Sequence, residues 1–264
     1  AGDVQAAPVN PHTTAVTLFN WNLDPPEEGG VVIYDDNVLR PDFMPGWAAG
    51  GEPYYTVAWS SSDQFLAAAG AAGPLYELQI SPSGAALLGT GSDNSFNSWY
   101  AELHSDFGTG LIYSDDGNVA DPTTQATVGT YNASGFVAPD SSLNRVFILG
   151  QTAAQANTNN YTIESFDEKA YTPVSSIAIN NLQGSPIAFC RWGTSGLAVL
   201  MLTDPESGLP GMLYLVQDAT FVSGAPKAAF QPSTAHELVQ QRWKRITKAD
   251  IAKMMRARSA GRLP

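Results

Sequence analysis

The chain has 264 residues, of which 44% are hydrophobic and 14% charged, and its formal net charge is −12. That length supports a full hydrophobic core, and all-β barrels and propellers of this size are often one domain. A single cysteine excludes an intramolecular disulfide framework, and no apolar run is long enough to read as a membrane-spanning helix.

The opening residues, AGDVQAAPVNP, are polar and show no signal peptide. Beyond them the sequence falls into recurring units, each with an apolar strand pair, a Gly- or Pro-containing break and a second pair joined by a polar turn. The first begins near Thr14, with TAVTLFNWNL and then VVIYDDNVLRPDFM. The second begins near Tyr54 (YYTVAWSSSDQFLAAAG, then PLYELQISPSGAALLGT) and the third near Phe96 (FNSWYAELHSDFGTGLIYS, then GNVADPTTQATVGTY). A fourth begins near Gly135, with GFVAPDSSLNRVFILG and then YTIESFDEKAYTPVSSIAI; a polar loop at 153–160 separates its halves. The fifth begins near Ser185, with SPIAFCRWGTSGLAVLML and GMLYLVQDATFVSG. The strand-like runs, among them Leu111–Ser114, Thr127–Tyr131, Arg145–Leu149, Tyr161–Phe166 and Val174–Ile179, are rich in β-branched and aromatic residues and are bounded by Asp, Asn, Pro, Ser or Gly.

Successive starts lie 40, 42, 39 and 50 residues apart. Four strands per such period is the arithmetic of a β-propeller blade. One four-stranded sheet cannot cover either of its own apolar faces, whereas blades stacked around an axis cover both and leave short, protected edges. The expectation is therefore an all-β propeller of about five four-stranded blades over residues 1–226. A β-sandwich, with turns at similar spacing, is the competing architecture.

After Gly224 the style changes. Residues 1–226 carry four Lys and Arg against 23 Asp and Glu, a balance of −19, while residues 227–264 carry nine against two, a balance of +7. The stretch STAHELVQQRWKRITKADIAKMMRAR reads as two short amphipathic helices, and Arg242, Trp243, Lys244, Arg245, Lys248, Arg256 and Arg258 are its interaction candidates. The acidic body repels nucleic acid and anionic lipid, so only the tail is suited to either. Opposite charge also favours docking of the tail onto the body or onto a neighbouring copy.

The phrases LIYSDDGNVADPTTQATVGTYNASG, DSSLNRVFILGQ, YTIESFD, PVSSIAI, RWGTSGLAVL and YLVQDATFVSG carry a resemblance. They look like the closing blades of secreted bacterial propeller proteins of the YncE or YVTN kind, often acidobacterial-type extracellular proteins, and the resemblance covers residues 54–224. It implies a fold and an extracellular or periplasmic address, with the leader absent from this chain, and carries no catalytic residue across. Such proteins usually hold about seven blades. The resemblance therefore implies either a smaller ring here or further blades upstream.

No HExxH, paired-Cys, GxSxG, P-loop or GxGxxG motif is present, and His12, His104 and His236 lie far apart, so a zinc site is not expected. Cys190, in IAFCRW, reads as a small buried apolar residue. Most acids sit in turn contexts, and SDDGNV fails as a sialidase Asp-box. Glu164, within a strand, is the one weak catalytic candidate, and with a neighbouring Asp it supports the alternative of a glycoside hydrolase-like enzyme. No cofactor is expected beyond a minority option of Ca2+ in the loop Asp115, Asp116, Asn118 and Asp121. Asn132 and Asn160 match the glycosylation sequon. The tryptophans, spread nearly one per blade, read mainly as core; Trp47, Trp59, Trp99 and Trp192 are candidates for stacking on a sugar or peptide at a channel mouth. The leading function is a non-enzymatic binding or assembly module that takes a protein partner, another copy of itself or a carbohydrate.

Overall fold

The computed structural model describes residues 3–20, 27–45, 56–60, 62, 64–69, 75–91, 102–153, 155, 158–202 and 211–223. They form five antiparallel sheets, each a meander whose strands pair in chain order. The first holds β1 (Val4–Ala6), β2 (Thr13–Asn20), β3 (Glu27–Asp35) and β4 (Val38–Leu39). The second holds β5 (Thr56–Trp59), β6 (Phe65–Ala69), β7 (Tyr76–Ser81) and β8 (Gly84–Thr90). The third holds β9 (Leu103–Asp106), β10 (Leu111–Ser114), β11 (Asn118–Asp121) and β12 (Ala126–Thr130). The fourth holds β13 (Phe136–Asp140), β14 (Arg145–Gly150), β15 (Tyr161–Asp167) and β16 (Pro173–Ile179). The fifth holds β17 (Ser185–Trp192), β18 (Gly196–Leu202) and β19 (Met212–Gln217), followed by the helical turn α1 (Ala219–Ser223). This is the expected all-β propeller architecture.

The chain divides into two compact units, Ala1–Ile148 with Phe166–Pro173, and Leu149–Ser165 with Val174–Pro264. Within the first unit the physical logic of the blades is explicit. Strand side chains alternate between faces, and the middle sheets spend one face on each neighbour. Val57, Trp59, Leu66, Tyr76 and Leu78 of the second sheet join Ala15, Val31 and Ile33 of the first in one buried cluster. From the other face, Ala58 and Ala67 join Leu103, Ile112 and Ala120 of the third sheet. The third sheet repeats the device: Tyr113 and Val119, one residue along from Ile112 and Ala120, pack with Val137, Val146, Ile148 and Phe166. Strand β5 is accordingly buried along its whole length.

Three details depart from the sequence reading. The first sheet starts at Val4, ten residues before the expected Thr14, because the three-residue β1 pairs with β2 in the register Val4↔Val16. The fifth sheet has three strands among the described residues, and the TFVS segment read as its fourth is instead helical. Asp218 Oδ1 caps that turn by accepting from the Thr220 and Phe221 amides, both at 2.9 Å. Cys190, expected inside, is exposed. In β17 the inward position falls to Phe189, so alternation sends Cys190 outward. The tail, residues 227–264, lies outside the described residues.

Candidate functional site

In the first unit the opening strands of successive sheets abut, β1 on β5, β5 on β9 and β9 on β13. Side chains bridge each step. Asp3 Oδ2 accepts from the Val57 amide at 3.0 Å and from Thr56 Oγ1 at 3.2 Å. Thr56 Oγ1 in turn accepts from the Leu103 amide at 3.0 Å, and Asp115 Oδ1 accepts from the Val137 amide at 3.2 Å. Each bond satisfies a donor on the first strand of the next sheet.

At this inner edge β9 and β10 gather three ionisable side chains. Tyr113 faces His104 and Ser114 faces Leu103 across the ladder, and one step on the Asp115 amide donates to the Glu102 carbonyl at 3.3 Å. Glu102 and His104, two residues apart, therefore share a face, and Asp115 projects beside them from across the hairpin. His104 Nε2 lies 2.8 Å from Asp115 Oδ1, and ligand atoms of all three residues fall within 4.8 Å of one another. Desolvation raises the Glu102 carboxyl above its ordinary range, the charges of Asp115 and Asp3 push the same way, and His104 opposes them.

A second feature is a cavity of about 590 Å³ between the second and third sheets. Phe65, Leu88 and Leu111 supply its apolar walls, Ser60, Ser62, Thr109 and Thr123 its hydroxyls, and Glu77 and Asp121 its charge. Among the described residues none that lines it is basic. Desolvation raises the Glu77 carboxyl, and the nearby charge of Asp121 adds to the effect. The arrangement suits a ligand that brings a cation together with apolar surface.

A third feature is a buried polar network. Glu168, 2% exposed, accepts from Tyr113 Oη at 2.8 Å, and its carbonyl accepts from Tyr131 Oη at 3.1 Å. Buried Asp106 accepts from the amides of Gly108, Thr109 and Ser141. Burial raises the Glu168 carboxyl, chiefly through desolvation, and both tyrosine hydroxyls are raised for the same reason. Glu168 and the two tyrosines bond one another among packed strands, and Asp106 ties the turn after β9 to Ser141, so both hold sheets together.

The sequence candidates are placed differently. Glu164 is half-buried in β15, and burial alone raises its carboxyl, with no neighbouring charge contributing. A glycosidase sets two carboxyl groups about 5–9.5 Å apart, where they would influence each other. Of the proposed calcium loop, Asp116 accepts from Ser114 Oγ and from the Asn118 amide, Asp121 caps the Thr123 amide at 2.8 Å, and Asn118 Oδ1 accepts from Thr130 Oγ1. Among the described residues Asp115, Asp116 and Asp121 do not converge; Asp115 turns to His104 instead. Trp59 is fully buried and donates from Nε1 to the Gln5 carbonyl at 3.0 Å, which leaves it no face for a ligand. Trp192 is half-buried at the end of β17. Trp47, Trp99 and the tail residues Arg242, Trp243, Lys244, Arg245, Lys248, Arg256 and Arg258 lie outside the described residues. Sequence reasoning missed Glu102, Glu77 and Glu168, and it named His104 only in setting a zinc site aside. For Glu102 and His104 the usable signal was Glu-x-His running into one strand with an Asp just past the next, visible once the hairpin register is drawn.

No family model and no curated protein matches the chain. Solved structures do resemble it. Chaetomium thermophilum Sqt1, bound to the N-terminus of the ribosomal protein L10, aligns with a TM-score of 0.55 at 13% identity over 84% of this chain and 61% of that one. Kuenenia stuttgartiensis hydrazine synthase aligns with a TM-score of 0.50 at 12% identity over 81% of this chain and 62% of that one. The chain thus spans about three fifths of each, and at such identity the likeness is one of fold.

Proposed function

We propose that this chain is a non-enzymatic binding and assembly module whose acidic propeller takes up a basic polypeptide segment, residues 227–264 of a second copy. The observation that carries this is the division of charge, −19 over residues 1–226 against +7 over residues 227–264. The cavity beside Glu77 and Asp121 supplies a place where apolar and cationic side chains from such a segment would both be satisfied. A head-to-tail contact of this kind extends into filaments when its rotation does not close. That Sqt1 binds a polypeptide N-terminus on the same fold is in keeping with this reading. An extracytoplasmic address, in a protein of the YncE or YVTN kind, rests on the sequence resemblance. The direct test adds a synthetic peptide of residues 227–264 to the full chain: it should compete for the acidic body and dissolve assemblies, and assemblies indifferent to it would refute the proposal.

A further inference from the structure

We propose that Glu102, His104 and Asp115 form a binding site for a divalent transition-metal ion of the Zn2+ type, held by one imidazole nitrogen and two carboxylate oxygens. Three observations carry this, independently of the assembly reading.

The donor set is mixed. Two hard oxygens alone would suit Ca2+ or Mg2+, but an imidazole nitrogen beside them favours Zn2+ and its neighbours in the transition series. The geometry fits as well. Zinc with bonds of about 2.0–2.2 Å in tetrahedral array sets its ligand atoms roughly 3.3–3.6 Å apart, and here the three ligand atoms already lie within 4.8 Å of one another. His104 Nε2 and Asp115 Oδ1 approach to 2.8 Å, so a small opening of that pair admits an ion. Finally, His104 and Asp115 are held in place and remain reachable. His104 stands on β9, Asp115 is anchored by the Val137 amide, and both keep about a fifth of their side chain open to solvent (21% and 20%). Glu102 is exposed, so the coordination sphere opens on its side to water or to a ligand from a partner.

Local electrostatics point the same way. Glu102 and Asp115 face each other with Asp3 close by, and His104, whose Nε2 lies 2.8 Å from Asp115 Oδ1, is the one neighbour whose charge opposes theirs at Glu102. A bound cation would relieve that crowding. Because Asp115 also holds β13 through Val137, an ion here would tighten the join between the third and fourth sheets as well as the β9–β10 hairpin.

The experiment is calorimetric titration of the full chain with Zn2+, with Ca2+ as comparator and melting temperature as a second readout. The chains compared are wild type, His104→Ala, Glu102→Gln and His12→Ala. His12→Ala controls for the exposed His12–Asp36 pair, whose ring nitrogen and carboxylate oxygen lie 2.7 Å apart. The expected result is one Zn2+ per chain that raises the melting temperature. It is retained in His12→Ala and weakened in both site variants by more than the roughly 10–100-fold typical of outer-shell losses. Glu102 is exposed and outside any strand, so Glu102→Gln decides the matter if His104→Ala does not fold. Absence of saturable Zn2+ binding would overturn the proposal, as would binding undiminished in the site variants, binding abolished by His12→Ala, or Ca2+ bound equally well.

Discussion

Tyr113, on the third sheet, donates its hydroxyl to the Glu168 carboxylate at 2.8 Å, a bond between residues 55 positions apart in the chain. Tyr131 reaches the carbonyl of the same glutamate at 3.1 Å, and its ring packs against Phe166 and Tyr171 with centroids 5.2 and 5.3 Å away. One buried acid thus gathers two tyrosines. Tyr113→Phe should remove the donor and leave the carboxylate short of a partner, at a cost of about 1–3 kcal/mol. Urea unfolding checks this; an unchanged midpoint would mean that the bond contributes nothing net.

The pH dependence of the same group follows from its direction of shift. Burial raises the Glu168 carboxyl above its ordinary 4.5, so the fold holds that proton more firmly than the unfolded chain does. Stability therefore falls as pH climbs from 4.5 through the folded value, and the deficit persists above it. Glu168→Gln keeps an acceptor for Tyr113 and removes the titration. The difference in stability between variant and wild type should move in favour of the variant as pH rises, read from denaturation midpoints on either side of the transition.

Asp35 behaves in the opposite sense. Arg40 donates to it at 2.8 and 2.9 Å and Thr13 at 2.7 Å, which lowers its carboxyl from 3.8 to about 2. The stabilisation is complete above 3.8 and is lost as pH falls from there towards about 2. Arg40→Gln should flatten acid unfolding over that window. It should also loosen the join between the first two sheets, because Arg40 Nη1 donates to the Ser81 carbonyl at 2.6 Å.

Gly84, which opens β8, meets the segment that follows β4 backbone to backbone, in an isolated bridge with Asp42. Its φ is +142°, and a Cβ there would lie 1.8 Å from the Asp42 carbonyl oxygen. Gly84→Ala should cost at least about 1–3 kcal/mol in conformational strain before the clash is counted. A melting curve superimposable on wild type would show that the contact yields freely.

How much of this was legible beforehand depended on whether a feature is local. Strand β10 and the bounds of β14, β15 and β16 stand in the sequence within a residue, because β-branched runs and turn residues act over a few positions. The three-residue β1 was not legible: VQA has no period of its own and is a strand only because Val16 lies opposite Val4. Asp218 hid the start of α1 in the same way, since ATFVS reads as β-like until its cap is seen. The Glu102–His104–Asp115 group was passed over because metal motifs are sought as fixed spacings along the chain, whereas here the third ligand is brought in across a hairpin. The acids that looked like a calcium loop, Asp116 and Asp121, are occupied with their own turns.

The central claim is that the acidic body of one copy holds the basic segment of another. Sedimentation of the full chain at low and high salt tests it most directly, alongside a variant with Arg242, Lys244, Arg245 and Lys248 replaced by Gln. Association should be strong at low salt in the wild type and fall away with added salt, which screens charges beyond about 10 Å at 0.1 M; the variant should not associate under either condition. One particle size throughout all four measurements would contradict the account.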